Sequence, residues 1–346
     1  MKAMRIWFVS SLGLALSMIF DWNYGFLAVL IPAFVLNLEK GFGLPFIVML
    51  VFSIIFGSAE ATIILELFQA HPLLLTGAVA IFMLIKCIAM MHQITYLFGF
   101  MGIFIGSMVF NYASYDYFDI TDFNINMWII ALISVLNYLL AHWLFSDPKG
   151  TEPAPEEDPF AAKTEAEKIA QVAMGWVVAM SLFFVFQTMD LIDSLPVLVS
   201  VVIMLSPLSL QGGIGVGKVR VIGTALGCIM GLVLHVMLGK WINNPLLFWL
   251  GFTILMGVIS LLFNKGMIPS AIGFSATSAF SVPLTTAFIP GQQDATFSIL
   301  YRFSSIFVGV VVLVMVMTVA HQSINKFIIG PKQKRAARKL GDKKPA

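Results

Sequence analysis

The sequence predicts an all-α protein that crosses a membrane many times. Of its 346 residues, 59% are hydrophobic and only 11% are charged, and the mean hydropathy is +0.94. A soluble domain is about 45–50% apolar and about 25% charged. Long apolar runs recur along the chain, and a helix satisfies its own backbone hydrogen bonds inside lipid. We therefore expect a polytopic bundle of transmembrane helices.

About 20 apolar residues are needed to span the bilayer, with a range of about 17–25. By this criterion we predict about twelve spans. The first two are separated only by DWNYG, and the eighth is short and contains Pro196 and Pro207. The predicted spans are 4–20, 23–38, 43–68, 72–91, 93–113, 126–145, 168–190, 193–210, 218–239, 244–264, 267–289 and 297–321.

Charge and proline content divide the chain into four parts. A first six-helix half (1–145) is followed by a linker (146–167) that is acidic and proline-rich. A second six-helix half (168–325) precedes a basic tail (326–346). Lysine-rich tails of this kind lie near anionic lipid headgroups, and we predict no nucleic-acid role for it.

The distribution of basic residues predicts that both termini and the linker are cytoplasmic. With this orientation the outer loops hold one basic residue, Lys240, and are otherwise acidic. Lys86 lies near the inner end of its span, where its ammonium group is expected to reach the inner surface. The basic residues on the inner side are Lys2, Arg5, Lys40, Lys149, Lys163, Lys168, Lys218, Arg220, Lys265, Lys326 and those of the tail.

The two halves share features that indicate an internal repeat. The second helix of each half carries a proline, Pro32 or Pro207, and each half ends in an Ala-His pair, at His142 or His321. Two six-span halves of the same orientation predict a parallel repeat about an axis along the membrane normal.

The stretch GGIGVGK at 212–218 has the spacing of a phosphate-binding P-loop. A P-loop requires a preceding strand and a Ser or Thr after the lysine, whereas here an apolar run precedes and Val219 follows. We therefore interpret GGIGVG as a flexible inner loop, with Lys218 and Arg220 at the cytoplasmic boundary. Beyond it, Gly223, Gly227 and Gly231 recur at four-residue spacing, which predicts a close helix–helix contact. Thr224 is expected to bond to the backbone or across that contact.

The segment KVRVIGTALGCIMGLVL resembles the R-x-x-G-T-x-x-G signature of the fusaric acid resistance and aromatic acid exporter family. The matching residues are Arg220, Gly223, Thr224 and Gly227. The first half departs from the signature, because Pro45 stands where the basic residue would fall. Larger members insert a soluble domain where this chain has only its linker. The resemblance implies a short inner-membrane efflux pump for small, often aromatic, organic acids that works with a periplasmic adaptor.

Ionisable groups deep in the predicted spans are candidates for transport, because a charge inside the bilayer is costly. Glu60 and His235 align when the halves are superposed on their prolines, and Arg302 enters its span from the outer side at a similar depth. We predict Glu60 and His235 as proton-coupling groups and Arg302 as a substrate-binding group. Two alternatives are a structural Glu60–Arg302 ion pair and a packed histidine at His235.

Proton-driven efflux from the bacterial inner membrane is therefore the predicted function, and a homo-oligomer is possible. The alternative is a non-transporting membrane scaffold or assembly partner of an envelope complex. No enzyme activity, cofactor or metal site is predicted. Cys87 and Cys228 lie in apolar runs and are expected to be inert core residues.

Overall fold

The structure is a computed structural model that describes residues 1–346 except 23, 39–42, 114–118, 147–163, 190–194, 242–243, 287–294, 325 and 327–346. Twelve α-helices lie in the described part, and short 3₁₀ segments occupy Gly239–Trp241 and Leu261–Asn264. The helices are α1 (Lys2–Phe20), α2 (Phe26–Leu38), α3 (Leu44–Phe68), α4 (Pro72–Ala89), α5 (Tyr96–Tyr112), α6 (Ile120–Leu144), α7 (Glu165–Met189), α8 (Leu195–Leu205), α9 (Leu210–Leu238), α10 (Pro245–Ser260), α11 (Met267–Thr286) and α12 (Ala295–Ile324).

Each predicted span corresponds to one of these helices, in the same order. In the described part of the chain, eight helical segments are long and apolar enough to cross a membrane. Two more apolar helices, Phe26–Leu38 and Tyr96–Asn111, are shorter. The predicted fold class, an all-α polytopic membrane protein, is confirmed.

The prediction of a flexible loop at GGIGVG is wrong, because α9 begins at Leu210 and runs through it. Ser209 Oγ accepts a hydrogen bond from the Gly212 backbone N–H at 3.2 Å near the start of this helix. A Cβ at Gly213 would lie 2.6 Å from Cε of Met317. At this position glycine admits a neighbouring side chain, and the apolar surroundings favour a fully hydrogen-bonded backbone.

The chain forms two compact units, and the boundaries between them fall within α3, α9 and α12. Unit 1 comprises Met1–Ile55, Tyr117–Pro155 and Gly217–Val308. Unit 2 comprises Phe56–Asp116, Glu156–Val216 and Gly309–Ala346. Each unit therefore draws helices from both sequence halves.

In unit 1, α1 packs against α2, α6 and α10, and α2 also contacts α11. Two tryptophans join α1 to α10. Trp7 Nε1 donates to the Thr253 carbonyl and Trp249 Nε1 donates to the Ser11 carbonyl, each at 2.8 Å. The α1–α2 contact is close, because a Cβ at Gly13 would lie 2.2 Å from the Ala28 carbonyl oxygen.

In unit 2, α4 packs against α5 and α7, and α8 contacts both α5 and α7. Trp176 Nε1 donates to the Ala80 carbonyl at 2.8 Å, and the Tyr96 hydroxyl donates to the Ser206 carbonyl at 3.1 Å. The side-chain amide of Gln187 donates to the Phe110 carbonyl at 2.9 Å. Side-chain donors thus reach backbone acceptors between helices.

The helix pairings follow the order that an internal repeat predicts. If α1 to α6 correspond to α7 to α12, the α1–α10 contact of unit 1 corresponds to the α7–α4 contact of unit 2. The α2–α11 and α8–α5 contacts correspond in the same way. This pattern favours the six-helix repeat, which stays a prediction.

Candidate functional site

An ion pair joins two membrane-spanning helices of unit 2. Lys86 Nζ on α4 lies 2.6 Å from Glu60 Oε2 on α3. The lysine side chain is 1% exposed and the glutamate side chain is 29% exposed. Burying opposite charges as a hydrogen-bonded pair limits the desolvation cost that each would carry alone.

Three phenyl rings surround the ammonium group of Lys86. Its Nζ lies 3.8 Å from the ring centroid of Phe98, 5.0 Å from that of Phe82 and 5.5 Å from that of Phe56. These distances are within the range of about 6 Å in which a ring face attracts a cation. A Cβ at Gly102 would lie 2.6 Å from both Cδ and Cε of Lys86. Gly102 therefore provides room for the lysine stem.

The expectation that Lys86 reaches the inner surface is wrong, because its side chain is held inside unit 2. The carboxylate of Glu60 and the rings of α3, α4 and α5 take the place of the water molecules that would hydrate the ammonium group at the surface. The positions of Glu60 and Lys86 along their predicted spans did not indicate that the two side chains form a pair. The available signal was the four-residue spacing of Phe98 and Gly102, which places both on one face of α5.

A second buried cation, Arg220, lies on α9 in unit 1 and is 2% exposed. Its Nη1 donates to Ser275 Oγ at 3.5 Å and its Nη2 donates to Ser278 Oγ at 3.3 Å. In return, Ser275 Oγ donates to the Arg220 carbonyl at 3.0 Å. Neither of these two serines of α11 was predicted as a site residue.

Arg220, which was predicted to lie at the cytoplasmic boundary together with Lys218, is buried rather than solvated. Because α9 begins at Leu210, Arg220 lies about 15 Å along the helix from its start at 1.5 Å per residue. Lys218, two residues earlier, is exposed on another face of the same helix. The two basic residues of the signature region therefore occupy different environments.

The predicted close contact of the glycine face is present between α9 and α11. A Cβ at Gly223 would lie 2.4 Å from Ser275 Cβ, and one at Gly227 would lie 2.4 Å from the Ala276 carbonyl oxygen. Thr224, on the same helix, is fully buried. Within the described residues its hydroxyl has no hydrogen-bond partner, contrary to expectation.

The three predicted transport residues fall in different units. Glu60 belongs to unit 2, whereas His235 and Arg302 belong to unit 1. His235 is half-buried, and its Nδ1 has no hydrogen-bond partner within the described part. The side chain of Arg302 lies outside the described residues. A gate formed by all three stays a prediction, and the partner that the structure gives Glu60 is Lys86.

The remaining reactive groups are dispersed. Cys87 and Cys228 are buried free thiols, as predicted for core residues. Searching the described residues reveals no group of three or more His, Cys, Asp or Glu side chains that could hold a metal ion.

Each half of the chain matches a known family model. Residues 178–316 match the family described as fusaric acid resistance protein-like, and residues 2–141 match a family described as "Protein of unknown function (DUF2955)". Both matches exclude the linker. No curated protein and no solved structure shows a significant match. The second half is thus similar to the fusaric acid resistance protein-like family, and the chain is a multi-pass membrane protein.

Proposed function

We propose that this protein exports small organic acids, aromatic acids included, across the bacterial inner membrane in exchange for protons. The family match in the second half supports transport out of the cell. The observation that carries the proposal is the Glu60–Lys86 pair, held within two apolar helices of unit 2. Ionisable groups in such helices mark ion and substrate pathways.

Glu60 is the group that takes up the coupling proton. Its side chain is 29% exposed whereas that of Lys86 is 1% exposed, so the carboxylate is the more accessible member of the pair. Protonation neutralises Glu60 and ends the ion pair. The ammonium group then keeps the three phenyl faces as partners, because cation–π attraction does not depend on the carboxylate.

A change of charge at this pair alters the attraction between α3 and α4. In the ionised state the short contact holds the two helices together, and in the protonated state only the weaker polar and ring contacts remain. The proton gradient thereby biases a two-state packing of unit 2, as coupling requires.

The remaining elements of the proposal come from the sequence. His235 is a second protonatable group, and Arg302 binds anionic substrate from the outer side. The family resemblance adds a periplasmic adaptor as partner. A homo-oligomer is compatible with this scheme.

The proposed orientation has both termini and the linker in the cytoplasm. Reporter fusions at Gly150 and Ala346 test it, and both should report a cytoplasmic location. A periplasmic signal at either site would overturn the orientation.

Efflux of aromatic acids from cells tests the proposed function. The Glu60→Gln variant keeps the shape of the side chain but cannot exchange a proton, so energised efflux should be lost at matched expression. Arg302→Ala should weaken substrate affinity while retaining coupling. Wild-type efflux rates in Glu60→Gln would contradict the coupling role, and the absence of efflux from wild-type cells would favour the scaffold alternative.

A further inference from the structure

We infer that Arg220 and Thr224 bind the carboxylate group of the transported acid, an inference that rests on the proposed export function. Both side chains belong to unit 1 and are at most 2% exposed. They are four residues apart on α9, so they lie on the same helix face. Ser275 and Ser278 of α11 complete the cluster through their contacts with the guanidinium group.

The hydroxyl of Thr224 supplies the first indication of a ligand. A threonine within a helix ordinarily donates to the carbonyl four residues earlier, which here is that of Arg220. Ser275 Oγ donates to that same carbonyl at 3.0 Å. Within the described residues the Thr224 hydroxyl has no hydrogen-bond partner. A buried donor of this kind is costly unless another molecule provides an acceptor.

The guanidinium group of Arg220 supplies the second indication. Its bonds to the hydroxyls of Ser275 and Ser278, at 3.5 Å and 3.3 Å, exceed the usual N–H···O range of about 2.7–3.2 Å. A carboxylate forms shorter, charge-assisted bonds and matches the fork of N–H donors. A substrate carboxylate would therefore displace the serine hydroxyls from the guanidinium group.

The glycine face brings α9 and α11 into close contact at this site. With the Gly223 Cβ position 2.4 Å from Ser275 Cβ, the α9–α11 contact leaves no room for a ligand in this structure. Substrate entry requires the two helices to separate. Alternating access supplies such a motion.

Binding of benzoate to purified protein tests the site, with Thr224→Val as the main variant. Valine keeps the shape of threonine and removes the hydroxyl. Without benzoate, the melting temperature should stay the same or rise, because a buried hydroxyl without an acceptor is lost. The affinity for benzoate should fall by about tenfold or more, as expected for a lost hydrogen bond to a charged group. Benzamide, which carries no charge, should bind wild-type protein much more weakly than benzoate.

Thr277→Val is the matched control on α11. The Thr277 hydroxyl is equally buried but donates to the Gly273 carbonyl at 2.9 Å. This variant should lower the melting temperature and leave the benzoate affinity unchanged.

Three outcomes would overturn the inference. Equal benzoate affinity in wild type and Thr224→Val would remove Thr224 from the site while leaving the export function intact. A lower melting temperature of Thr224→Val would show that its hydroxyl has a structural partner. If wild-type protein neither binds benzoate nor exports it from cells, the inference fails together with the proposed function.

Discussion

Lys86 in unit 2 and Arg220 in unit 1 are both buried long cationic side chains, but their surroundings differ. In unit 2, Lys86 lies against the carboxylate of Glu60 and three phenyl faces. In unit 1, Arg220 lies against the hydroxyls of Ser275 and Ser278. The first arrangement changes its charge when its carboxylate takes up a proton. The second offers a fork of N–H donors, as binding of a carboxylate requires.

Under the proposed function, the two units have separate tasks. A transporter that exchanges protons for organic acids needs one group that titrates and another that binds an anion. The Glu60–Lys86 pair of unit 2 fits the first task, and the cluster at Arg220 and Thr224 in unit 1 fits the second. Variants at each cluster should therefore show that each cation depends on its own surroundings.

The largest effect on stability is expected at the ion pair of unit 2. Lys86→Met removes the cation and leaves the partly buried Glu60 carboxylate without its ion-pair partner, which should lower the free energy of unfolding by up to roughly 3 kcal/mol. The double variant Glu60→Gln/Lys86→Met has no such charge and should regain most of this loss. Thermal unfolding in detergent measures both. If the single and double variants lose the same stability, the Glu60–Lys86 ion pair does not contribute to the free energy of unfolding.

The next largest effect concerns the glycine face of unit 1. Gly227→Ala places a Cβ 2.4 Å from the Ala276 carbonyl oxygen, so overpacking should lower stability by about 1–3 kcal/mol. Gly227→Leu should lower the folded yield further.

Gly215→Ala is the control for this substitution, because it lies on the same helix and a Cβ there meets no atom within 4 Å. It should stabilise the protein by up to about 1 kcal/mol through helix propensity. A Gly227→Ala variant as stable as Gly215→Ala would contradict the α9–α11 contact.

The smallest effect is expected at the phenyl rings around Lys86. Phe98→Leu keeps an apolar side chain but removes the nearest ring face, and should cost about 1–2 kcal/mol in the free energy of unfolding. Phe56→Leu removes a ring whose centroid lies 5.5 Å from the ammonium group and should cost less. Thermal unfolding measures both losses. Equal losses at the two positions would show that packing, rather than cation–π attraction, determines the loss in the free energy of unfolding.

Hydropathy predicted the helices because each apolar span must form its backbone hydrogen bonds internally in an apolar medium. It did not predict α9 through GGIGVG, because glycine spacing gives no sign of whether a neighbour such as Met317 fills the space. The depth of Glu60 in its span identified it as a candidate, whereas its partner Lys86 lay too near a span end to attract attention. Ser275 and Ser278 were missed because serines in an apolar segment resemble ordinary small packing residues until their neighbour is known.

Proton-driven transport by the Glu60→Gln/Lys86→Met double variant tests the coupling role of Glu60 most directly. Reconstituted in liposomes, this variant should still exchange labelled benzoate for unlabelled benzoate, because the cluster at Arg220 and Thr224 is untouched. It should not accumulate benzoate in response to an imposed pH gradient, whereas wild-type protein should do so. Gradient-driven accumulation by the double variant at the wild-type rate would contradict the account and leave the Glu60–Lys86 pair with a purely structural role.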